Sequence, residues 1–442
     1  MTGPWRPLSW ASVGTALGAL LLLTGVLVGR PDVAALGAAP LLTGARGWAQ
    51  RPAAPVELEL RAAGQMVAER ELSALVAASG AGVRGSALRL RAASPGSRPA
   101  EALVRLPAGT ERTVELRCAM VRTGPHELFR VDAVALGPDQ AVITGPPLTL
   151  GPAHVLVLPG TVPLRRAPLP FRLQGMTGAH SSRRPGDGGD LHAVPLFAPG
   201  DRRRRSDWRT TARRAGATGQ AQLRDLYVRR TYASADATVM LVIDSRDDVG
   251  PDVTTWAGGV PVRTTDATSL DLAREAAASL ARAYVTAGDR VGLEDLGLRR
   301  RPVPPAAGRR HLERIVRRLA LSLPEGTPGP RERAPQLPSG SLVVVLSTFL
   351  DDEAARMAVL WRRSGHRVVA VDVLPPVRAD ELGSRLLTAY RLVDIEREDR
   401  LALLRRNAVE VVRWSRGGVR SDAEVELAAL ARTRQRPSGG RR

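Results

Sequence analysis

Between residues 199 and 213 the chain reads Pro199-Gly200-Asp201-Arg202-Arg203-Arg204-Arg205-Ser206-Asp207-Trp208-Arg209-Thr210-Thr211-Ala212-Arg213. Two carboxylates bracket a run of four guanidinium groups, and an indole follows directly. Three uses of such a set are open. Carboxylates and arginines can clamp the segment onto a neighbouring domain, with Trp208 filling a pocket and Arg209 and Arg213 pairing with acidic side chains. Trp and Arg also concentrate at the centres of protein interfaces, so the segment can dock a partner. Finally, Arg202–Arg205 can hold phosphates while Trp208 stacks on a base, although no nucleic-acid-binding pattern surrounds them. Hydrolysis by the carboxylate pair needs a cleft that raises one pKa. The chain carries no Ser-His-Asp, HExxH or P-loop pattern. No catalytic residue is assigned, and a non-enzymatic protein without a small-molecule substrate is expected.

The remaining titratable groups point the same way. Cys118 is the only cysteine, which rules out an intrachain disulfide and the multi-cysteine zinc sites. His126, His154, His180, His192, His311 and His366 fall at no metal-ligand spacing. A net charge of +20 invites a nucleic acid or an anionic membrane as partner. Yet every cation is arginine, Asn407 is the only asparagine, and isoleucine, phenylalanine and tyrosine are scarce. That pattern reads as GC-rich coding before it reads as function. Arginine is permanently charged and forks onto carboxylates, so ion-pair networks are expected. With 442 residues, 44% of them hydrophobic and 24% charged, the chain has room for two or three domains with real cores.

Those domains must position the segment. Ala11–Val28 carries no charge and covers about 27 Å as a helix, enough to cross a bilayer core of about 30 Å with its flanks. After a turn at Gly29-Arg30-Pro31-Asp32, a shorter apolar stretch, Val33–Thr43, is expected to kink at Pro40. A hairpin crossing twice places both termini in the cytoplasm, with Arg46 and Arg51 obeying the positive-inside rule. A single crossing and a cleaved signal peptide are the alternatives, the latter disfavoured because such apolar cores run about 7–15 residues.

Residues 53–159 alternate in short runs (Val56–Leu60, Ala87–Arg91, Ala102–Leu106, Thr113–Arg117) between Gly, Pro and Ser clusters, predicting a β-sandwich. A turn at Arg122–His126 is expected to feed one strand, Glu127–Val134. Residues 160–234 read as a linker, with a flexible loop at Arg183–Asp190 ahead of the arginine segment. From Ala235 the pattern turns to buried strands (Thr238–Ile243, Leu342–Leu346, Arg367–Leu374) alternating with helices (Leu270–Thr286, His311–Leu323, Asp352–Arg363). Such alternation predicts a doubly wound α/β sheet over 235–415. In 416–442, a helix at Ala423–Arg432 gives way to a tail from Arg434 whose composition reads as disordered.

The segment from Pro199 through Asp201, Asp207 and Trp208 to Arg213 resembles the PGD…R…DW…AR motif of the domain of unknown function 58 family. Ala287–Leu293, Val303–Gly308, Ser364–Val368 and Leu401–Trp414 resemble that family's blocks, in order, across most of 160–414. The resemblance implies a bacterial membrane protein with two N-terminal apolar segments and cytoplasmic soluble domains. It further implies a von Willebrand factor A-like C-terminal half and an association with MoxR-type AAA+ ATPases.

Von Willebrand A domains hold a divalent cation through an Asp-x-Ser-x-Ser loop and a later Asp, oxygen donors that suit Mg²⁺. Here the loop reads Asp244-Ser245-Arg246-Asp247-Asp248, and the later strand ends Ser347-Thr348-Phe349-Leu350-Asp351. Asp244 is in place. Arg246 and Asp248 stand where serines belong, and Thr348 where the family often carries Asp. A guanidinium there opposes a divalent ion, so Arg246 is expected to replace the metal by pairing with Asp244 or Asp351. A displaced cation site from Asp244, Asp247, Asp248 and Asp351 is the rival. The expectation is a membrane-anchored adaptor with no cofactor, a β-sandwich and a von Willebrand A-like domain with a degenerate metal site. The alternative class is a basic protein that binds nucleic acid or another anionic surface.

Overall fold

In the computed structural model the uncharged N-terminal run is helix α1 (Ser9–Leu27), and after Gly29 the chain returns as α2 (Pro31–Ala49). The described residues are 5–432 apart from 51–55, 68–70, 80–86, 95–98, 106–110, 138–139, 174–177, 218–224, 259, 298–300, 326–330, 332 and 416–421. The basic tail from Arg434 lies outside them. Among the described residues α1 alone is long and apolar enough to cross a membrane, with a mean hydropathy of 1.8. The second helix is longer than Val33–Thr43 and absorbs Pro40. Pro31 sits in its first turn, where a missing N–H costs nothing. Small residues let the two backbones touch: a Cβ on Gly25 would overlap the backbone nitrogen of Ala34.

Two units share the chain, residues 1–158 with 263–265 and residues 159–262 with 266–442. The first carries β1 (Trp5–Pro7), β2 (Glu57–Ala62), β3 (Gln65–Val67), β4 (Glu71–Ser79), β5 (Ala87–Ala93) and β6 (Ala100–Arg105). It continues with β7 (Arg112–Ala119), β8 (Gly124–Leu128), β9 (Arg130–Leu136), β10 (Val142–Thr144), β11 (Leu148–Leu150) and β12 (Ala153–Leu158). The sheets are β2-β4-β7, β3-β12-β8, and β1-β10-β9-β5-β6 with β11 on β9. Alternate residues of the first and last meet in one core, Leu58, Val76 and Ala78 against Leu88, Leu90, Val131 and Ala133. The run expected as one strand, Glu127–Val134, is two strands in different sheets. Phe129 divides them at φ 58° with its ring buried, and Gly124–His126 belongs to a strand, not to a turn.

The second unit opens with β13 (His180–Ala193), α3 (Trp208–Ala217) and β14 (Arg230–Ala235). Then follow β15 (Thr238–Ile243), α4 (Ser269–Thr286), β16 (Arg290–Asp295), β17 (Val303–Ala306) and α5 (Arg309–Ala320). The last elements are β18 (Leu342–Ser347), α6 (Asp352–Arg363), β19 (Arg367–Asp372), α7 (Ser384–Arg406), β20 (Glu410–Arg413) and α8 (Asp422–Arg432). Its main sheet runs β17-β16-β15-β18-β19-β20, parallel except for β17. Continuous apolar strands serve both faces. Leu241, Val344 and Val371 pack with α4, α5 and α8, while Val242, Val345 and Ala370 pack with α6 and α7. The alanine-rich α4 is buried almost all round and starts at a capping box between Thr268 and Asp271.

The segment from 160 onward is not a free linker. Val162 N donates to Ser279 Oγ (2.9 Å) and Tyr284 Oη donates to the Pro168 carbonyl (2.6 Å), so it lies along α4. The stretch expected as a loop, Arg183–Asp190, runs inside β13, which pairs with β14 through register shifts at its glycines and proline.

Candidate functional site

The C-terminal ends of β15 and β18 lie side by side, and Asp244 N donates to the Leu346 carbonyl (2.9 Å). Asp244 therefore begins its loop against Ser347, whose Oγ donates to Asp244 Oδ2 (2.7 Å). After β18 the chain turns at Phe349, a fully buried ring in the left-handed region at φ 54°, a backbone strain of the kind concentrated at functional loops. That turn sets Asp351 at the N-cap of α6, where it accepts from Glu353 N (3.0 Å).

Arg246 fills the space between the two loops. Its Nε and Nη2 donate to the two oxygens of Asp244, both at 2.8 Å. Nη1 and Nη2 donate to Asp351 at 2.6 and 3.0 Å, and Nη1 also reaches Glu353 Oε2 at 3.2 Å. These contacts match the N–H donors a guanidinium carries, two of the pairs being fork-on-carboxylate. Burial works against the charge, but Asp244 and then Asp351 outweigh it and hold Arg246 above its ordinary pKa. Both carboxylates named from sequence thus meet the same arginine. Among the described residues no set of three or more His, Cys, Asp or Glu is arranged to hold a metal ion. The donors do not fit a divalent cation, because the guanidinium stands among the oxygens that would bind it.

Thr348 is buried and donates to Asp247 Oδ2 (3.1 Å), while its carbonyl accepts from Arg397 Nε (2.9 Å). Asp248 is half-buried in the same loop. Sequence reasoning missed Ser347, Glu353 and Arg331, although Asp351-Asp352-Glu353 is an acidic run that carried a signal for the second. Arg331 comes from a stretch without periodicity. It donates its backbone N–H to Glu353 (3.2 Å) and its Nη2 to the Asp295 carbonyl (2.9 Å).

Burial, then repulsion from Asp244, raises Asp247, and burial likewise raises Glu294 and Asp295. Each holds its proton more tightly folded than unfolded. Their contribution is full below the ordinary carboxylate pKa and is lost as pH rises through the raised values. Asp247→Asn should therefore flatten the fall of stability with pH and stabilise the protein at neutral pH. Urea midpoints across pH measure this, and a loss of stability at neutral pH would contradict it.

The arginine segment is built differently. Gly200 turns at φ 99°, and Asp201 accepts from Ala198 N (2.9 Å) and from Arg230 Nε and Nη2 (3.2 and 2.9 Å). The Arg230 hydrogen bond holds Asp201 below the usual carboxylate range. Arg202 and Arg205 pair with Asp187 of β13. Asp207 opens α3, accepting from Thr210 N (2.9 Å), and this contact lowers its pKa. The segment is thus fastened to β13 and β14, but not as the sequence suggested. Trp208 fills no pocket and is 64% exposed. Arg209 and Arg213 are exposed and pair with no acidic side chain among the described residues.

Fold and site together define an α/β protein with an arginine–carboxylate cluster at the C-terminal edge of its sheet and, earlier in the chain, an arginine-rich segment fastened to β13 and β14. The chain belongs to the family described as "Protein of unknown function DUF58", which it matches over residues 194–416, a span that includes both features. It is similar to the uncharacterized protein Rv1480 of Mycobacterium tuberculosis and to the uncharacterized protein Mb1516 of Mycobacterium bovis. Each is 28% identical over 216 residues, covering 45% of this chain and 59% of the relative. The chain therefore spans less than two thirds of the length of these curated relatives.

Proposed function

We propose that this chain is a membrane-tethered, non-enzymatic adaptor whose α/β unit is of the von Willebrand A type, with Arg246 standing in for the metal. The observation that carries the reading is the five-contact pairing of Arg246 with Asp244, Asp351 and Glu353. It fills with a guanidinium the place at the sheet edge where a metal-dependent domain holds an ion between its loops. A doubly wound order with one antiparallel edge strand supports the von Willebrand A comparison. Tethering rests on the length and apolarity of α1. The partner, a MoxR-type AAA+ ATPase, comes from the family resemblance.

The test is co-purification of the detergent-solubilised full chain with such an ATPase, with and without ATP. Nucleotide-sensitive recovery is expected, and the variant Arg246→Ser should weaken it. Recovery of nucleic acid alone, lost at high salt as counterion release requires, would overturn the adaptor reading in favour of a polyanion binder.

A further inference from the structure

Asp201 and Asp207, which could have neutralised the arginine segment, are both spent on its own scaffold: one on Arg230, the other on the first turn of α3. Of the seven arginines between 201 and 217, Arg202 and Arg205 are neutralised by Asp187 of β13. Arg204, Arg209 and Arg213 are exposed and pair with no acidic side chain among the described residues. Arg209 and Arg213 share α3 with Trp208, which is 64% exposed, and Arg214 of the same helix lies over the Tyr227 ring at 5.3 Å. Residues 195–197 and 205–207 flank Leu226–Arg229 on its two sides, through Phe197 N to Leu226 O (2.7 Å) and Asp207 N to Tyr227 O (2.8 Å). Leu196 and Tyr227 are bridge partners and so share a face, with Leu196 51% exposed. Thr211 fixes α3 beside them by accepting from Tyr227 N (3.0 Å). Trp208 stands one turn from Ala212 on the exposed side of that helix.

We propose that Leu196, Tyr227 and Trp208, with Arg204, Arg209 and Arg213, form a docking face for an anionic phospholipid surface. An exposed indole flanked by long cationic side chains is the composition that settles at a headgroup boundary, the ring in the interface and the guanidinium groups on phosphate. The inference rests on the tethered reading, since α1 in a bilayer keeps lipid at high effective concentration for the rest of the chain. It goes beyond that reading by giving the arginine segment a ligand.

The full chain with Cys118→Ser and Ala212→Cys, nitroxide-labelled at the new thiol, is placed in nanodiscs of phosphatidylcholine with or without phosphatidylglycerol. Relaxation by oxygen against a water-soluble nickel chelate reports whether α3 meets lipid. Lipid contact is expected only with phosphatidylglycerol and should fade at high salt. It should fall roughly fivefold for each of Arg209→Gln and Arg213→Gln, the equivalent of about 1 kcal/mol per arginine near an anionic bilayer. Trp208→Ala, at an exposed position, should also reduce it. A label that stays aqueous in both lipids overturns the proposal, and burial by added polyglutamate instead would assign the face to an acidic protein. Should the chain fail to enter the discs, the tether reading fails separately. Flotation of the same labelled chain with phosphatidylglycerol vesicles then decides the face by itself.

Discussion

Arg246→Ser should lower the stability of the α/β unit by about 3–5 kcal/mol, the cost of breaking a buried charge pair from one side. Asp244 is buried, and among the described residues its two oxygens keep only the Ser347 hydroxyl and the weak backbone N–H contact of residue 246 once the guanidinium is gone. Asp351 is half exposed, so water compensates that side and the loss belongs at the lower end of the range. On a unit of this size that corresponds to a fall in Tm of roughly 10 °C. The same substitution restores a serine to the Asp-x-Ser loop and frees Asp244, Ser347 and Asp351 as oxygen donors. Mg²⁺ or Mn²⁺ should then recover part of the lost stability in the variant and do nothing for the unsubstituted protein. Thermal melts with and without each ion read both effects. Micromolar Mg²⁺ or Mn²⁺ binding by the unsubstituted chain would show that Arg246 is no replacement for a metal.

That site was readable in the sequence to the extent that it follows local order. Asp244 and Arg246 sit directly after an apolar run that can only be a buried strand, and Asp351 precedes a helix whose bounds, Asp352–Arg363, a cap and a following glycine make plain. Glu353 and Ser347 were not singled out, because their roles depend on how two non-adjacent loops meet. The arginine segment failed in a more instructive way. Its residue types suggested a clamp with the indole inside, but the buried position in α3 goes to Thr211, whose hydroxyl satisfies a backbone N–H, and Trp208 is left outside. β13 was illegible for a related reason. Its glycines and proline spell a loop, and only pairing with β14, interrupted by bulges, makes it a strand. In the first unit a single left-handed residue, Phe129, divided a continuous β pattern between two sheets, which no periodicity records.

Arg367→Leu should cost a comparable 3–5 kcal/mol, yet leave the Arg246 cluster intact. Arg367 begins β19, at the end of the parallel sheet opposite Asp244, and is almost completely buried. Its Nε and Nη2 fork onto Glu410 of β20 at 2.9 and 2.8 Å, Nη1 donates to the Leu169 carbonyl at 2.7 Å, and Nη2 donates to the Leu430 carbonyl at 2.8 Å. One guanidinium thus ties a sheet edge, the segment along α4 and the last helix together. Leucine restores some apolar volume, but it strands a buried carboxylate and takes a donor from each of two carbonyls. Hydrogen exchange should show α8 and residues 160–173 losing protection while the Asp244 loop keeps it. Adding Glu410→Gln should recover part of the loss, since the stranded charge goes with it. If Arg367→Leu alone costs less than about 1 kcal/mol, water must reach Glu410 and the carbonyls, and the clamp is not what fastens α8. If the Asp244 loop opens as well, the two ends of the sheet are coupled, and a change at one edge is felt at the other.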